Sequence, residues 1–111
     1  MLILLLVFLV MSLVMALISI PLIARRVEPN LFYGFRVRRT LGNREVWFDV
    51  NEYFAWRLLV IGAVEALASI GFYAVPGISA EAYALSVLAI FTVAFMMAMT
   101  QTVRYMNSLE K

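Results

Sequence analysis

One acidic side chain stands alone in an apolar run: Glu65 is the only charged residue between positions 58 and 80. A carboxyl group at the centre of a bilayer costs about 3 kcal/mol on insertion scales, so it must face protein or water rather than acyl chains. Its helical face also carries Gly62, Ala66 and Ser69, small residues that permit close helix contact. In the first apolar segment Ser12, Ala16 and Ser19 recur at i, i+4 and i+7, at a depth that brackets Glu65, and Thr92 and Thr100 do the same in the third. The pattern predicts that Glu65 points into a helix seam and bonds hydroxyls there. Two chemistries fit that placement: a protonated carboxyl tying helices together, or a group that couples protons or holds a cationic ligand.

A second acidic set, Glu45, Asp49 and Glu52, converges on one helical face at i, i+4 and i+7. Metal binding is a weak reading of it, because the chain has no His and no Cys and arginines lie close by. An ion-paired or solvated face is the better account. Arg36, Arg38 and Arg39 precede these acids and are expected to fold back on them as a basic, strand-like arm. Without Cys there is no thiolate or disulfide chemistry, and without His the usual neutral-pH proton carrier is missing. The residues point to no enzyme, no metal and no cofactor. Met96, Met97 and Met99 read as adaptable packing or lipid-facing side chains.

The elements that position these groups follow from hydropathy. The 111 residues make one domain, and a 65% hydrophobic share exceeds the rough half that is usual in soluble folds. Mean hydropathy is +0.95. Residues 1–24 carry no charge and as a helix would measure about 36 Å, enough to cross a ~30 Å hydrocarbon core. No basic residue precedes this run and Arg25-Arg26 follow it, which predicts a retained span rather than a cleaved signal. Residues 58–75 form a second span, Pro76-Gly77 a turn, and residues 82–103 a third span. The fold class expected is an all-α membrane protein of three transmembrane helices. From Asn43 onward Val46, Trp47, Val50, Phe54 and Leu58 share one helical side, predicting an amphipathic cytoplasmic helix that leads into the second span.

Orientation is expected from the basic residues. The loop 25–57 holds seven arginines against four acids, whereas the 76–81 turn holds none. The positive-inside bias puts the N-terminus outside and the loop and C-terminus in the cytoplasm of a multi-pass cell-membrane protein. Trp47, Tyr53, Trp56 and Tyr105 would then lie at the inner interface, with Tyr73 and Tyr83 at the outer one.

The loop itself carries a pattern: Pro29-Asn30, Tyr33-Gly34-Phe35-Arg36, Thr40-Leu41, Glu45, Trp47 and Asn51 between two apolar spans. This run resembles the SdpI-like family of prokaryotic membrane proteins, named for an immunity protein that protects its producer against a secreted peptide toxin. Two positions depart from the family pattern: Val37-Arg38 follow Arg36 where Thr-Pro is common, and Ala55 stands where glycine is usual. The resemblance implies a shared constellation of Pro29, Asn30, Tyr33, Gly34, Phe35, Arg36, Thr40, Trp47 and Asn51, serving either to bind or to hold the loop against the bilayer. It also implies a non-enzymatic role in resistance to a membrane-active peptide, or in signalling its presence to a soluble cytoplasmic regulator. Membrane lipid is the expected partner throughout, nucleic acid is not expected, and three helices bury so little surface that a homo-oligomer is expected to suit them. The rival functions are a small proton-coupled transporter using Glu65 and a scaffold subunit of a membrane complex.

Overall fold

The computed structural model describes residues 1–109. They form four helices and, among the described residues, no strand: α1 (Leu2–Ile23), α2 (Arg38–Leu41), α3 (Arg44–Tyr73) and α4 (Ala80–Ser108). Three of these, α1, α3 and α4, are long and apolar enough to cross a membrane. The chain is therefore an all-helical protein with three candidate spans.

Each boundary has a local cause. Pro21 lies in the last turns of α1, and the helix closes with the Arg25 N–H on Leu22 O (3.2 Å) and the Arg26 N–H on Pro21 O (3.0 Å). That 6→1 and 5→2 pairing requires a left-handed residue just past the helix, and here it is Arg25, at φ 59°. Asn43 caps α3, its side-chain oxygen accepting from the N–H groups of Glu45 (3.0 Å) and Val46 (3.2 Å). Ser79 caps α4 by accepting from the Ala82 N–H (3.1 Å), with Glu81 in the first turn where its charge suits the helix dipole. Between these helices the turn passes through Gly77 at φ 76°.

The second span is longer than hydropathy alone indicates. No Pro or Gly interrupts residues 44–61, so the polar segment and the apolar one are a single unbroken rod of 30 residues, about 45 Å long. A ~30 Å core leaves several turns of it outside the hydrocarbon, and these carry the loop. At the same end of the bundle α4 runs on to Ser108, past the 82–103 window. The basic arm is no strand: residues 38–41 close into the single turn of α2.

α3 is the central rod, packing against α1 on one side and α4 on the other. At the capped end Phe35, Val46, Val50, Phe54, Leu58 and Ile61 pack with Met15, Ala98 and Met106. At the far end Phe8 meets Tyr83 and Val87. α1 approaches α3 closely at Gly62, where a Cβ would come 3.1 Å from the Ser12 carbonyl oxygen. Two aromatics expected in interfacial belts are instead fully buried: Trp47 inside the loop and Tyr83 between helices. Each has a polar tip with a backbone carbonyl to satisfy it, which lets the ring go inward.

Candidate functional site

The loop folds into a cap over the end of α3, and its motif residues bond one another. Asn30 sets the first bend: its side-chain oxygen accepts from the N–H groups of Phe32 (2.9 Å) and Tyr33 (2.7 Å), and its amide donates to Glu28 O (2.8 Å). Tyr33 then reaches back along α1 and its hydroxyl donates to the Ile18 carbonyl. Partial burial pushes the Tyr33 phenol above the ordinary range, so it stays a neutral donor at that carbonyl. Gly34 follows at φ 110°, a conformation that side chains rarely adopt. A Cβ there would lie 2.7 Å from Asn51 Oδ1 and 3.2 Å from the Trp47 ring, so the backbone can sit on those two residues only as glycine.

Asn51 is the hub. It is buried on α3, accepts from the Phe35 N–H and donates from Nδ2 to Trp47 O (3.0 Å), with Phe35 O at 3.4 Å. One side-chain amide thus meets both polar groups of the Phe35 backbone, replacing the bonds a strand partner would supply. Phe35 is buried against Phe54, ring centroids 5.5 Å apart. Thr40 closes the next turn: its hydroxyl donates to Phe35 O (2.9 Å) and accepts from the Val37 N–H (3.0 Å). Trp47 ties the start of the loop by donating from Nε1 to Val27 O (2.7 Å). Arg36 is exposed and bonds Leu31 O, while Pro29 lies half-buried before the Asn30 bend.

The acidic face is clasped from an unexpected side. Arg25, thrown outward by its left-handed backbone, bridges Asp49 Oδ1 (3.0 Å) and Glu52 Oε2 (2.9 Å). The end of α1 supplies that cation, where the sequence pointed to Arg36, Arg38 and Arg39. Sequence periodicity could not reveal this, because it depends on where the first helix stops. Arg44 pairs with Glu28 through two contacts (2.6 and 2.8 Å), and these hydrogen bonds, more than its charge, hold the Glu28 carboxyl below the usual range. Arg25 and Arg44 also flank the Phe48 ring, 5.5 and 4.9 Å from its centroid. Arg39 reaches across to the C-terminal end of α4, Nη2 donating to Leu109 O (2.6 Å).

Deeper in the bundle, Glu65 is buried and its Oε2 lies 3.1 Å from Ser12 Oγ. Ser12 also lies 2.9 Å from Phe8 O, so one hydroxyl serves two oxygens. Glu65 Oε1 has no hydrogen-bond partner among the described residues. Ser19 is buried a further two turns along α1 and bonds Ala16 O (2.7 Å), not Glu65. Thr100 turns to Met96 O (2.9 Å) on the exposed side of α4, and Thr92 is exposed. The third helix contributes a different group: Tyr83 donates to Ser69 O (3.0 Å), and Ser69 in turn donates to Glu65 O (2.7 Å). Both bonds end on backbone carbonyls, so the Glu65 carboxyl receives no hydroxyl from the third helix among the described residues.

Fold and site together define a multi-pass membrane protein whose central helix carries a folded polar cap at one end and a buried carboxyl along its length. Residues 26–103 match the SdpI/YfhL protein family, and the chain belongs to that family. No curated protein and no solved structure matches it.

Proposed function

We propose that this protein is a non-enzymatic membrane protein of the SdpI type that gives resistance to a secreted, membrane-active peptide or signals its presence. The observation that carries the reading is the cap: Phe35, Thr40, Trp47 and Asn51 interlock through buried hydrogen bonds, with Gly34 packed directly on Asn51 and Trp47, in a chain belonging to this family. A loop built only to join two spans would not need buried polar groups satisfied inside it. In this reading the capped end faces the cytoplasm, because Arg26, Arg36 and Arg38 are exposed there and the 74–79 turn opposite has no basic residue. The first turns of α3 then stand at or above the inner interface as the amphipathic cytoplasmic segment.

A peptide arriving from outside meets the 74–79 turn and the outer helix ends, not the cap. Protection therefore acts within the bilayer, or passes through the cap to a soluble cytoplasmic regulator that recognises its arginines. Expression in a bacterium sensitive to such a peptide separates these outcomes. Wild type should raise survival. Arg36→Ala should retain protection if the spans act alone and lose it if the cap relays the signal. A wild-type protein present in the membrane at normal level that confers no survival refutes the proposal. Topology is checked on the same chain, which has no native Cys. Ile78→Cys should react with a membrane-impermeant maleimide in intact cells, and Arg38→Cys should not.

The orphaned Oε1 of Glu65 favours one second reading, a small proton-coupled transporter. Proteoliposomes carrying wild type should then acidify on addition of a cationic substrate, and those carrying Glu65→Gln should not.

A further inference from the structure

The seam between α3 and α4 at the capped end holds a cation with no carboxylate partner among the described residues. Arg57, on α3, is fixed from three directions. Its Nε donates to Gln101 Oε1 of α4 (3.0 Å), its Nη1 to Tyr53 O (3.3 Å), and its guanidinium lies 3.4 Å above the Tyr53 ring centroid. Tyr53 is in turn stacked on Tyr105 of α4, centroids 4.3 Å apart and planes parallel to within 1°. That arrangement spends Nε and Nη1 on neutral oxygens and leaves Nη2 without a protein partner among the described residues. A guanidinium held rigid with an open fork is the geometry that receives a phosphate.

Directly beside it, between α3 and α4, runs a groove of about 390 Å³. Arg57, Gln101 and the half-exposed Trp56 form its capped-end mouth, and Val60, Val64, Ala94 and Met97 wall it toward the middle of the bundle. On the other side of the Met97–Gln101 ridge a second groove of about 460 Å³ ends at Arg104. Each groove is thus apolar along its length and ends at an arginine, on the same end of the bundle.

We infer that Arg57 and these grooves form a binding site for an anionic diacyl phospholipid, its phosphate on Arg57 beside Gln101 and its chains in the two grooves. Charge decides the headgroup: a cation in the interfacial layer without a carboxylate partner attracts an anionic lipid before any hydrogen bond is counted. The walls decide the tail. Val60, Val64, Ala94 and Met97 present no polar side-chain atom that a peptide's backbone could bond, whereas acyl chains need none. Trp56 at the mouth completes the site as an interfacial aromatic. The inference stands apart from peptide resistance, since it concerns lipid at a different face from the motif.

The two tryptophans supply the assay, because Trp47 is fully buried and Trp56 is 52% exposed at the groove mouth. The full chain is reconstituted in vesicles containing a fixed fraction of brominated phosphatidylglycerol or brominated phosphatidylcholine, and quenching of tryptophan emission is read. Wild type and the control Arg38→Gln should show binding of the anionic lipid about tenfold tighter than the neutral one. Arg57→Gln should lose that preference. Ala94→Trp, with fluorescence replaced by native mass spectrometry, should fill the groove and lose bound lipid of both kinds while keeping Arg57. Glycerophosphate, the headgroup without chains, should not compete. An undiminished preference in Arg57→Gln overturns the site, as does equal binding of both lipids by wild type. So does full competition by glycerophosphate, or a stable dimer that excludes lipid and is abolished by Ala94→Trp.

Discussion

Replacing Gly34 by alanine adds one methyl group at the most crowded point of the cap. The new Cβ would sit 2.7 Å from Asn51 Oδ1 and 3.2 and 3.3 Å from two atoms of the Trp47 ring, on a backbone held at φ 110°. Two costs add. A side chain in so sparsely populated a conformation costs about 1–3 kcal/mol. Asn51 can retreat only by releasing the Phe35 N–H, a buried bond worth about 1 kcal/mol net. The sum is about 2–4 kcal/mol, a large part of the stability of a small domain. Two other glycines separate the terms. Gly77 has φ 76° but open space around it, so Gly77→Ala should cost only the backbone strain of about 1–2 kcal/mol. Gly71 lies inside α3 with nothing near, and Gly71→Ala should gain up to about 1 kcal/mol. Thermal unfolding in a mild detergent, followed by tryptophan emission, should rank the four proteins Gly71→Ala, wild type, Gly77→Ala, Gly34→Ala. A Gly34→Ala protein melting no lower than Gly77→Ala would refute the claim that Asn51 and Trp47 lock the loop backbone from below.

The remaining predictions concern the ties around that lock. Arg25→Ala should destabilise more than Arg25→Gly by about 1 kcal/mol in the same assay, because both lose the Asp49 and Glu52 pairs but glycine relieves the left-handed backbone. Trp47→Phe should cost about 2–3 kcal/mol, leaving Val27 O without its donor and a void where the indole was, and should loosen residues 25–35 to limited proteolysis. The Glu28–Arg44 pair gives a pH signature: a carboxyl held below its usual range adds stability above its unfolded value near 4.5 and loses it as the pH falls through the lower folded value. Glu28→Gln should flatten that acid limb at low salt, the effect being small because both groups are exposed and screened. Glu65→Gln should melt within about 1 kcal/mol of wild type, since its carbonyl oxygen can keep the Ser12 hydroxyl; Ser12→Ala should cost about the 0.6 kcal/mol typical of interhelical bonds in a bilayer.

The spans were legible because hydropathy integrates over some twenty residues, and no single contact can reverse it. The ends of those spans were not, for a reason visible at residues 44–57. A polar helix standing clear of the membrane and an apolar one inside it differ in composition yet share one backbone, and only the absence of a breaker before Gly62 joins them. The motif could be named from its residue types, and Gly34 between two aromatics pointed to a close backbone approach. What it approached, Asn51 and Trp47 some fifteen residues away, was a matter of tertiary placement. Charge pairing was the least legible. Three arginines lay next to the acids in sequence, but the one that reaches Asp49 and Glu52 is set by the left-handed turn after α1. Local charge counts carry no information about that turn.

The three spans are not fastened alike, and the difference bears on which of them can respond to a ligand. α1 is bound to α3 along its whole length: at Gly62 by close backbone approach, at Ser12 by Glu65, and at its end by Arg25 and, through the loop, by Trp47 on Val27 and Tyr33 on Ile18. α4 is pinned chiefly near its two ends. Tyr83 bonds Ser69 at one; Arg39, Arg57 and the Tyr53–Tyr105 stack hold the other. Between them Val93, Met96 and Met97 face outward, and the helix packs on α3 through apolar side chains alone, Phe95 edge-on to Phe54 (centroids 6.4 Å) beside Ala94, Ala98 and Met99. Contacts of that kind can be exchanged for lipid or for a partner helix at little cost, whereas the α1–α3 seam would have to expose a carboxyl to separate. A bound amphiphile or a membrane-active peptide that shifts α4 would pull on Arg39, which lies in the cap, and on Tyr53 of α3 through the stacked Tyr105. If the proposed function works through the cap, α4 is the helix whose displacement would reach it, through Arg39.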